Sequence, residues 1–148
     1  MKNTEISLAK SEDSEKIAVI ERLCFSHPWT AENIAESMNF DTVFLVARVE
    51  NTVAGYCGMQ KAPPDGYITN VAVLPDLRRS GIGEKLLSAL SKYAEKEKIE
   101  KISLEVRESN LPAQSLYKKC GYKRVGVRKN FYRDPKEDAY IYEVEISI

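Results

Sequence analysis

Tyr67-Ile68-Thr69-Asn70-Val71-Ala72-Val73-Leu74-Pro75-Asp76-Leu77-Arg78-Arg79-Ser80-Gly81-Ile82-Gly83-Glu84-Lys85-Leu86-Leu87 is the stretch on which the reading of this chain turns. An apolar strand runs into a basic turn spaced by glycines, and the turn opens a helix. That order of parts suits a phosphate group. The first turn of a helix offers unpaired N–H groups and the positive end of its dipole. Gly81 and Gly83 remove side chains that would hold a ligand off that backbone. Arg78, Arg79 and Lys85 add fixed positive charge at the same point.

Spacing excludes two common phosphate loops. A P-loop needs G-x-x-x-x-G-K-[ST], and no glycine here has that partner. A dinucleotide fingerprint needs G-x-G-x-x-G, and Leu86 stands where its third glycine belongs. What remains is Arg-x-x-Gly-x-Gly, as Arg78-Arg79-Ser80-Gly81-Ile82-Gly83. A basic helix start with a glycine turn and no ligand fits the same six letters.

Composition narrows the classes. A chain of 148 residues, 43% hydrophobic and 30% charged, fits one soluble domain with a sizeable core, so residues 1–148 are read as a single domain. Lys plus Arg number 22, as do Asp plus Glu, so the basic turn is local and nucleic-acid binding is not expected. The sequence has neither a membrane-length apolar run nor an apolar segment behind Met1-Lys2-Asn3-Thr4-Glu5, which points to the cytoplasm. Cys24, Cys57 and Cys120 are far apart and form no C-x-x-C pair, which argues against disulfides and a cysteine-rich zinc site. Cys57 stands in an apolar strand and reads as a buried, inert thiol. His27, the only histidine, sits in a loop beside Pro28, so a hydrolase or metal site built on histidine is disfavoured.

Periodicity orders the elements. A short strand at Ile6 to Leu8 precedes a helix that Ser11 can cap, running to Cys24. The loop Phe25 to Trp29 leads to a helix from Thr30 to Met38. Val43–Val49 and Val53–Gln60 read as a hairpin, and Ala62 to Gly66 as a break. Tyr67–Val73 is the fourth strand, and a helix from Gly81 to Lys98 carries Ile82, Leu86, Leu87, Leu90 and Ala94 as its apolar stripe. Lys101–Val106 is the fifth strand. Ser109 or Asn110 caps a further helix, with Pro112 in its first turn and Gly121 past its end. Tyr122–Val127 and Ala139–Ile146 form a last strand pair across a long loop, Arg128 to Asp138. The order β-α-α-β-β-β-α-β-α-β-β is a mixed α/β sheet and not a doubly wound one.

Two side chains stand out beyond the turn. Alternation puts Ile102, Leu104 and Val106 on one face of the fifth strand and Ser103, Glu105 and Arg107 on the other. Glu105 therefore lies on the polar face of a strand that should pair near the fourth, where a solvated strand residue is the plain reading. Tyr117, in Ser115-Leu116-Tyr117-Lys118-Lys119-Cys120-Gly121-Tyr122, is an aromatic in a short amphipathic helix, a place that usually belongs to the core.

Taken together these segments resemble the GCN5-related N-acetyltransferases, which bind acetyl-coenzyme A. Arg78 to Gly83 is similar to their pyrophosphate loop. Leu104 to Asn110, Leu116-Tyr117 and Gly121-Tyr122 resemble one branch of that family, the bacterial ribosomal-protein-alanine N-acetyltransferases of the RimI type. Cys24-Phe25-Ser26-His27-Pro28-Trp29-Thr30 is similar to the branch's C-F-x-x-P-W-[ST] loop. Ile68 to Pro75 resembles its fourth strand, and Arg128-Lys129-Asn130-Phe131-Tyr132 with Glu137-Asp138-Ala139 its R-x-x-Y-Y…E-D-A ending. The likeness covers almost the whole chain. Departures are Phe131 for the usual Tyr, Tyr122 for the usual Phe, and Glu108 for a small residue.

The resemblance implies a mostly antiparallel sheet splayed between its fourth and fifth strands and flanked by helices. It implies pantetheine along Val71, Ala72 and Val73, pyrophosphate on Arg78, Arg79, Ser80, Gly81, Ile82, Gly83 and Glu84, and a contact from Asn110. It implies Glu105 as the base, Tyr117 as the acid, backbone amides of the fourth strand for the developing oxyanion, and no metal. Pro28, Trp29 and Tyr132 would border the acceptor, although Tyr132 fits equally as an aromatic pinning a long loop. The implied partner is the N-terminal alanine of a small-subunit ribosomal protein, with no membrane and no nucleic acid, and the chain a monomer or weak dimer. The rival readings are an acetyltransferase for a lysine side chain, polyamine or antibiotic, and a coenzyme A-binding module without catalysis.

Overall fold

Two apolar runs parted by a tight turn start the sheet. In the computed structural model, which describes residues 3–146, β2 (Thr42–Val49) and β3 (Thr52–Ala62) are joined through Glu50 and Asn51. Both turn residues have positive φ, 51° and 68°, as a short hairpin connection requires. β1 (Thr4–Leu8), β4 (Asp65–Val73), β5 (Lys101–Arg107), β6 (Lys123–Tyr132) and β7 (Glu137–Glu145) complete a seven-stranded sheet of order β1-β2-β3-β4-β5-β7-β6. Every neighbouring pair is antiparallel except β4 with β5. This is the mixed, mostly antiparallel sheet expected.

The helices cover both faces. α1 (Ser14–Cys24) and α2 (Ala31–Met38) bury Ile17, Ala18, Ile20 and Ile34 against Phe44, Val46, Tyr56 and Ala72. α3 (Ile82–Lys96) and α4 (Leu111–Lys119) lie on the other face. There the predicted stripe of Ile82, Leu86, Leu87, Leu90 and Ala94 is buried with Ile68, Ile102, Leu104 and Tyr117. Among the described residues, no helix is long and apolar enough to cross a membrane.

The splay has a local cause. β4 pairs with β5 only from Asp65 to Tyr67, against Lys101 to Ser103. Immediately beyond, Gly58 faces Asn70 while Met59 faces Ile68, so Thr69 is an extra residue in β4. Such a bulge bends its strand and raises its twist. Gly58 permits it, since a Cβ there would lie 2.7 Å from the Thr69 hydroxyl. β4 therefore leaves β5 and opens a gap at its C-terminal end.

Several boundaries differ from the sequence reading. Ser11 does not cap α1. It opens a 3-10 turn over Ser11–Asp13, because the Asp13 carboxylate takes the Lys10 N–H and fixes a tighter start. The break at Ala62 to Gly66 shrinks to Pro63-Pro64 between two paired strands. The long loop at Arg128 to Asp138 is mostly strand, and only residues 133–136 connect β6 to β7. The ladder survives because Asp138 accepts the Asn130 N–H at 2.8 Å where strand pairing is interrupted. Tyr132 thus ends a strand and is not a loop residue.

Candidate active site

The turn after β4 is built as its letters imply. Arg79 and Gly81 both have positive φ, 65° and 84°, and Gly81 precedes the first turn of α3. A Cβ at Gly81 would meet no atom within 4 Å, so the backbone there is open to a ligand. A cleft of about 690 Å³ runs from this turn between the end of β4 and α4. Val71, Ala72, Val73, Arg78, Arg79, Gly81, Ile82, Gly83, Glu84 and Asn110 all line it. Ser80 is absent from the lining; its hydroxyl is turned to the Leu77 carbonyl. The sequence reading missed Phe25 and the α4 wall of Pro112, Ala113, Ser115 and Leu116. The proline-opened amphipathic helix was the available signal for that wall.

Backbone direction in β4 follows from one bond. Leu74 N–H donates to the Ala54 carbonyl on β3 at 2.8 Å. Period two then turns the Ala72 N–H toward β3 and those of Val71 and Val73 toward the gap left by β5. On that open side the Val73 carbonyl accepts the Arg78 Nε–H at 3.2 Å. Asn110 caps α4, its Oδ1 accepting from the Ala113 N–H at 3.2 Å, which leaves its NH2 to donate elsewhere.

Glu105 stands on the face of β5 opposite the core, with its side chain 8% exposed. The Tyr67 hydroxyl donates to Oε1, and the Arg128 Nε lies 3.0 Å from Oε2. Each oxygen keeps a second lone pair for a water or an amine. Burial and the Glu105 carboxylate push the Tyr67 phenol above its ordinary pKa. Tyr117 is buried, its ring 5.8 Å from that of Tyr122 and 6.2 Å from that of Tyr142. Burial first, then Cys57, Tyr132 and Cys120, push its phenol up, so the proton stays on at neutral pH. The Tyr132 phenol is pushed up to about 12 by burial and by Glu105. Burial also pushes the Cys57 thiol up to about 12, in keeping with an inert residue.

Pro28, Trp29 and Tyr132 lie outside the lining of the cleft, on two tethered segments. Arg107 lies 4.3 Å over the Tyr132 ring and donates to the Pro135 and Arg133 carbonyls and to Glu137. Glu137 also accepts the Ser109 N–H at 2.6 Å, which ties the β6–β7 connection to the end of β5. The Pro28-Trp29 loop is held by the Trp29 N–H, bonded to Glu21 at 2.8 Å. The two segments meet where His27 lies 4.0 Å from Asp134.

The sheet opens beside its single parallel pair, and a glycine-marked helix start faces the opening. The chain belongs to the Acetyltransferase (GNAT) family, whose profile matches residues 14–122. It is an N-acetyltransferase that depends on acetyl-coenzyme A. A relative from Bacillus subtilis (strain 168) is 38% identical over 138 residues, covering 92% of this chain and 91% of its own; it bears a provisional bS18-alanine N-acetyltransferase name. An N-alpha-acetyltransferase of Sulfurisphaera tokodaii is 36% identical over 154 residues, 95% of this chain and 92% of its own. The crystal structure of the ribosomal-protein-S18-alanine N-acetyltransferase from Escherichia coli superposes with a TM-score of 0.90 at 29% identity, covering 99% of this chain and 96% of that one.

Proposed function

We propose that the chain, acting as one domain over residues 1–148, acetylates the α-amine of an N-terminal alanine on a small-subunit ribosomal protein. The observation that carries this is the meeting of two tethered segments, one of which brings Tyr132 close to Glu105. The Pro28-Trp29 loop is tied to Glu21 of α1, the Tyr132 strand end to Arg107 of β5, and the two meet at His27 and Asp134. Segments held in this way would suit a chain terminus that enters end-on. The relatives named for N-terminal substrates support the same reading.

The residues divide the work. Acetyl-coenzyme A supplies an activated acetyl thioester. Arg78, Arg79 and the Ser80 to Glu84 turn would hold its phosphates, and Val71, Ala72, Val73 and Asn110 its pantetheine arm. An α-amine has a pKa of roughly 8, so near neutral pH it must lose a proton before it can attack. Glu105 takes that proton, directly or through a water on its free lone pairs. The Val71 and Val73 N–H groups, aimed at the gap, stabilise negative charge that grows on the carbonyl oxygen. Tyr117, kept protonated by burial, supplies the proton to the departing sulfur. Pro28, Trp29 and Tyr132 orient the acceptor.

Mass spectrometry of synthetic peptides tests the assignment. A peptide with N-terminal alanine should gain acetyl in the presence of acetyl-coenzyme A. One with a blocked N-terminus and a free lysine should gain it far more slowly. Faster acetylation of the lysine overturns the proposal.

A further inference from the structure

We propose that Glu21 is a positioning residue that keeps the acceptor loop in register with the splayed strand. The inference rests on the acceptor reading of the Pro28-Trp29 loop and deepens it. Glu21 lies in the last turn of α1 and is 1% exposed. A carboxylate at that depth is rare unless its oxygens are satisfied. Here both oxygens accept, and the donors come from three different segments. Oε1 takes the Trp29 N–H at 2.8 Å, while Oε2 takes the Tyr56 hydroxyl of β3 and the Asn70 amide of β4 at 3.2 Å.

The helix does not require these bonds. Its end is closed by the Glu21 main-chain carbonyl, which accepts the Phe25 N–H at 2.9 Å. An apolar side chain of similar volume beside Ile17 and Ile20 would leave the Tyr56 hydroxyl and the Asn70 amide without their acceptor. What the carboxylate adds is connection. Asn70 is the first residue past the β4 bulge and directly precedes Val71, whose N–H faces the gap. Trp29 belongs to the loop in which Phe25 lines the cofactor cleft. One side chain therefore fixes the distance between the loop that meets the acceptor and the strand that holds the acetyl donor.

Trp29 is the only tryptophan of the chain, so its fluorescence reads the loop directly. Glu21→Gln replaces one acceptor oxygen by an NH2, which must then face a donor. With the loop untied, acrylamide should quench Trp29 more strongly. The acceptor-peptide KM should rise about tenfold, as loss of a charge-assisted contact would give. The acetyl-coenzyme A KM and its thermal shift should stay near wild type. Tyr56→Phe keeps the ring and removes one donor; it should move quenching and acceptor KM the same way by less, and it decides the matter if Glu21→Gln does not fold. A merely structural role predicts a lower Tm with quenching and both KM values unchanged, and that result overturns the proposal. Stronger quenching in a protein whose wild type never acetylates an alanine peptide would instead remove the acceptor assignment while leaving the tether.

Discussion

Substitution of Gly81 separates two roles of one residue. Its φ of 84° lies in the left-handed region, and a Cβ there meets nothing within 4 Å. Gly81→Ala therefore meets no clash, and what remains is backbone strain of about 1 kcal/mol. For a chain of this size that lowers Tm by about 2–4 °C. Gly81→Glu carries the same strain and adds a carboxylate at the edge of the cleft. At about 6 Å from a doubly charged pyrophosphate, in an effective dielectric of roughly 40, it opposes binding by about 3 kcal/mol. That weakens affinity by roughly 100-fold. Scanning fluorimetry reads the difference. Acetyl-coenzyme A at 100 times the wild-type Kd stabilises by about 2.7 kcal/mol, or about 5–10 °C. A 100-fold weaker variant retains about 0.4 kcal/mol, near 1 °C. The Ala variant should melt a few degrees lower and keep most of its shift. The Glu variant should melt like the Ala variant and lose nearly all of the shift. A full shift in Gly81→Glu refutes the placement of pyrophosphate at this turn, and an equal loss in Gly81→Ala refutes the role given to charge.

Glu105→Gln should lower turnover by roughly 10²–10⁴-fold, with part of it returning above pH ~8, where the amine is already neutral. Arg128 is 59% exposed and stays solvated without its partner, so the variant should fold; wild-type turnover would require another base. Tyr117→Phe keeps the packing against Tyr122 and Tyr142 and should slow transfer while preserving the thermal shift by acetyl-coenzyme A; an unchanged kcat would show a core aromatic only. Tyr122 has the one described buried side-chain polar atom without a hydrogen-bond partner, so Tyr122→Phe should raise stability by about 1 kcal/mol, measured by urea unfolding. Burial opposes the charge of Asp13, but the Lys10 N–H and Arg48 outweigh it and hold its carboxyl below the ordinary range. The resulting stability is present above the unfolded value of about 3.9 and is lost as pH falls through the folded one. Asp13→Asn should therefore cost about 2 kcal/mol at pH 7, and its deficit against wild type should shrink below pH ~4; a deficit constant from pH 7 to pH 3 would contradict this.

Local chemistry wrote much of the outcome into the chain. Side-chain period alone placed Ile82, Leu86, Leu87, Leu90 and Ala94 on the buried stripe of α3 and separated Leu104 from Glu105 on β5. The glycine and arginine spacing from Arg78 to Gly83 located the open turn, because positive φ and an absent Cβ are properties of single residues. Such features depend on neighbours within a turn or two. The folded chain alone decided which distant side chains share an atom. That Tyr67 and Arg128 both engage Glu105 depends on β4 and β7–β6 flanking β5, a matter of sheet order. That β6 reaches Tyr132 depends on Asp138 standing in for missing ladder bonds across the hairpin. In the sequence Glu21 is one charged residue among Ile17, Ile20 and Cys24, with no motif around it. Its meeting with Tyr56 and Asn70 needs strands 35 and 49 residues away, and contacts at that separation leave no period or motif in the sequence from which to read them.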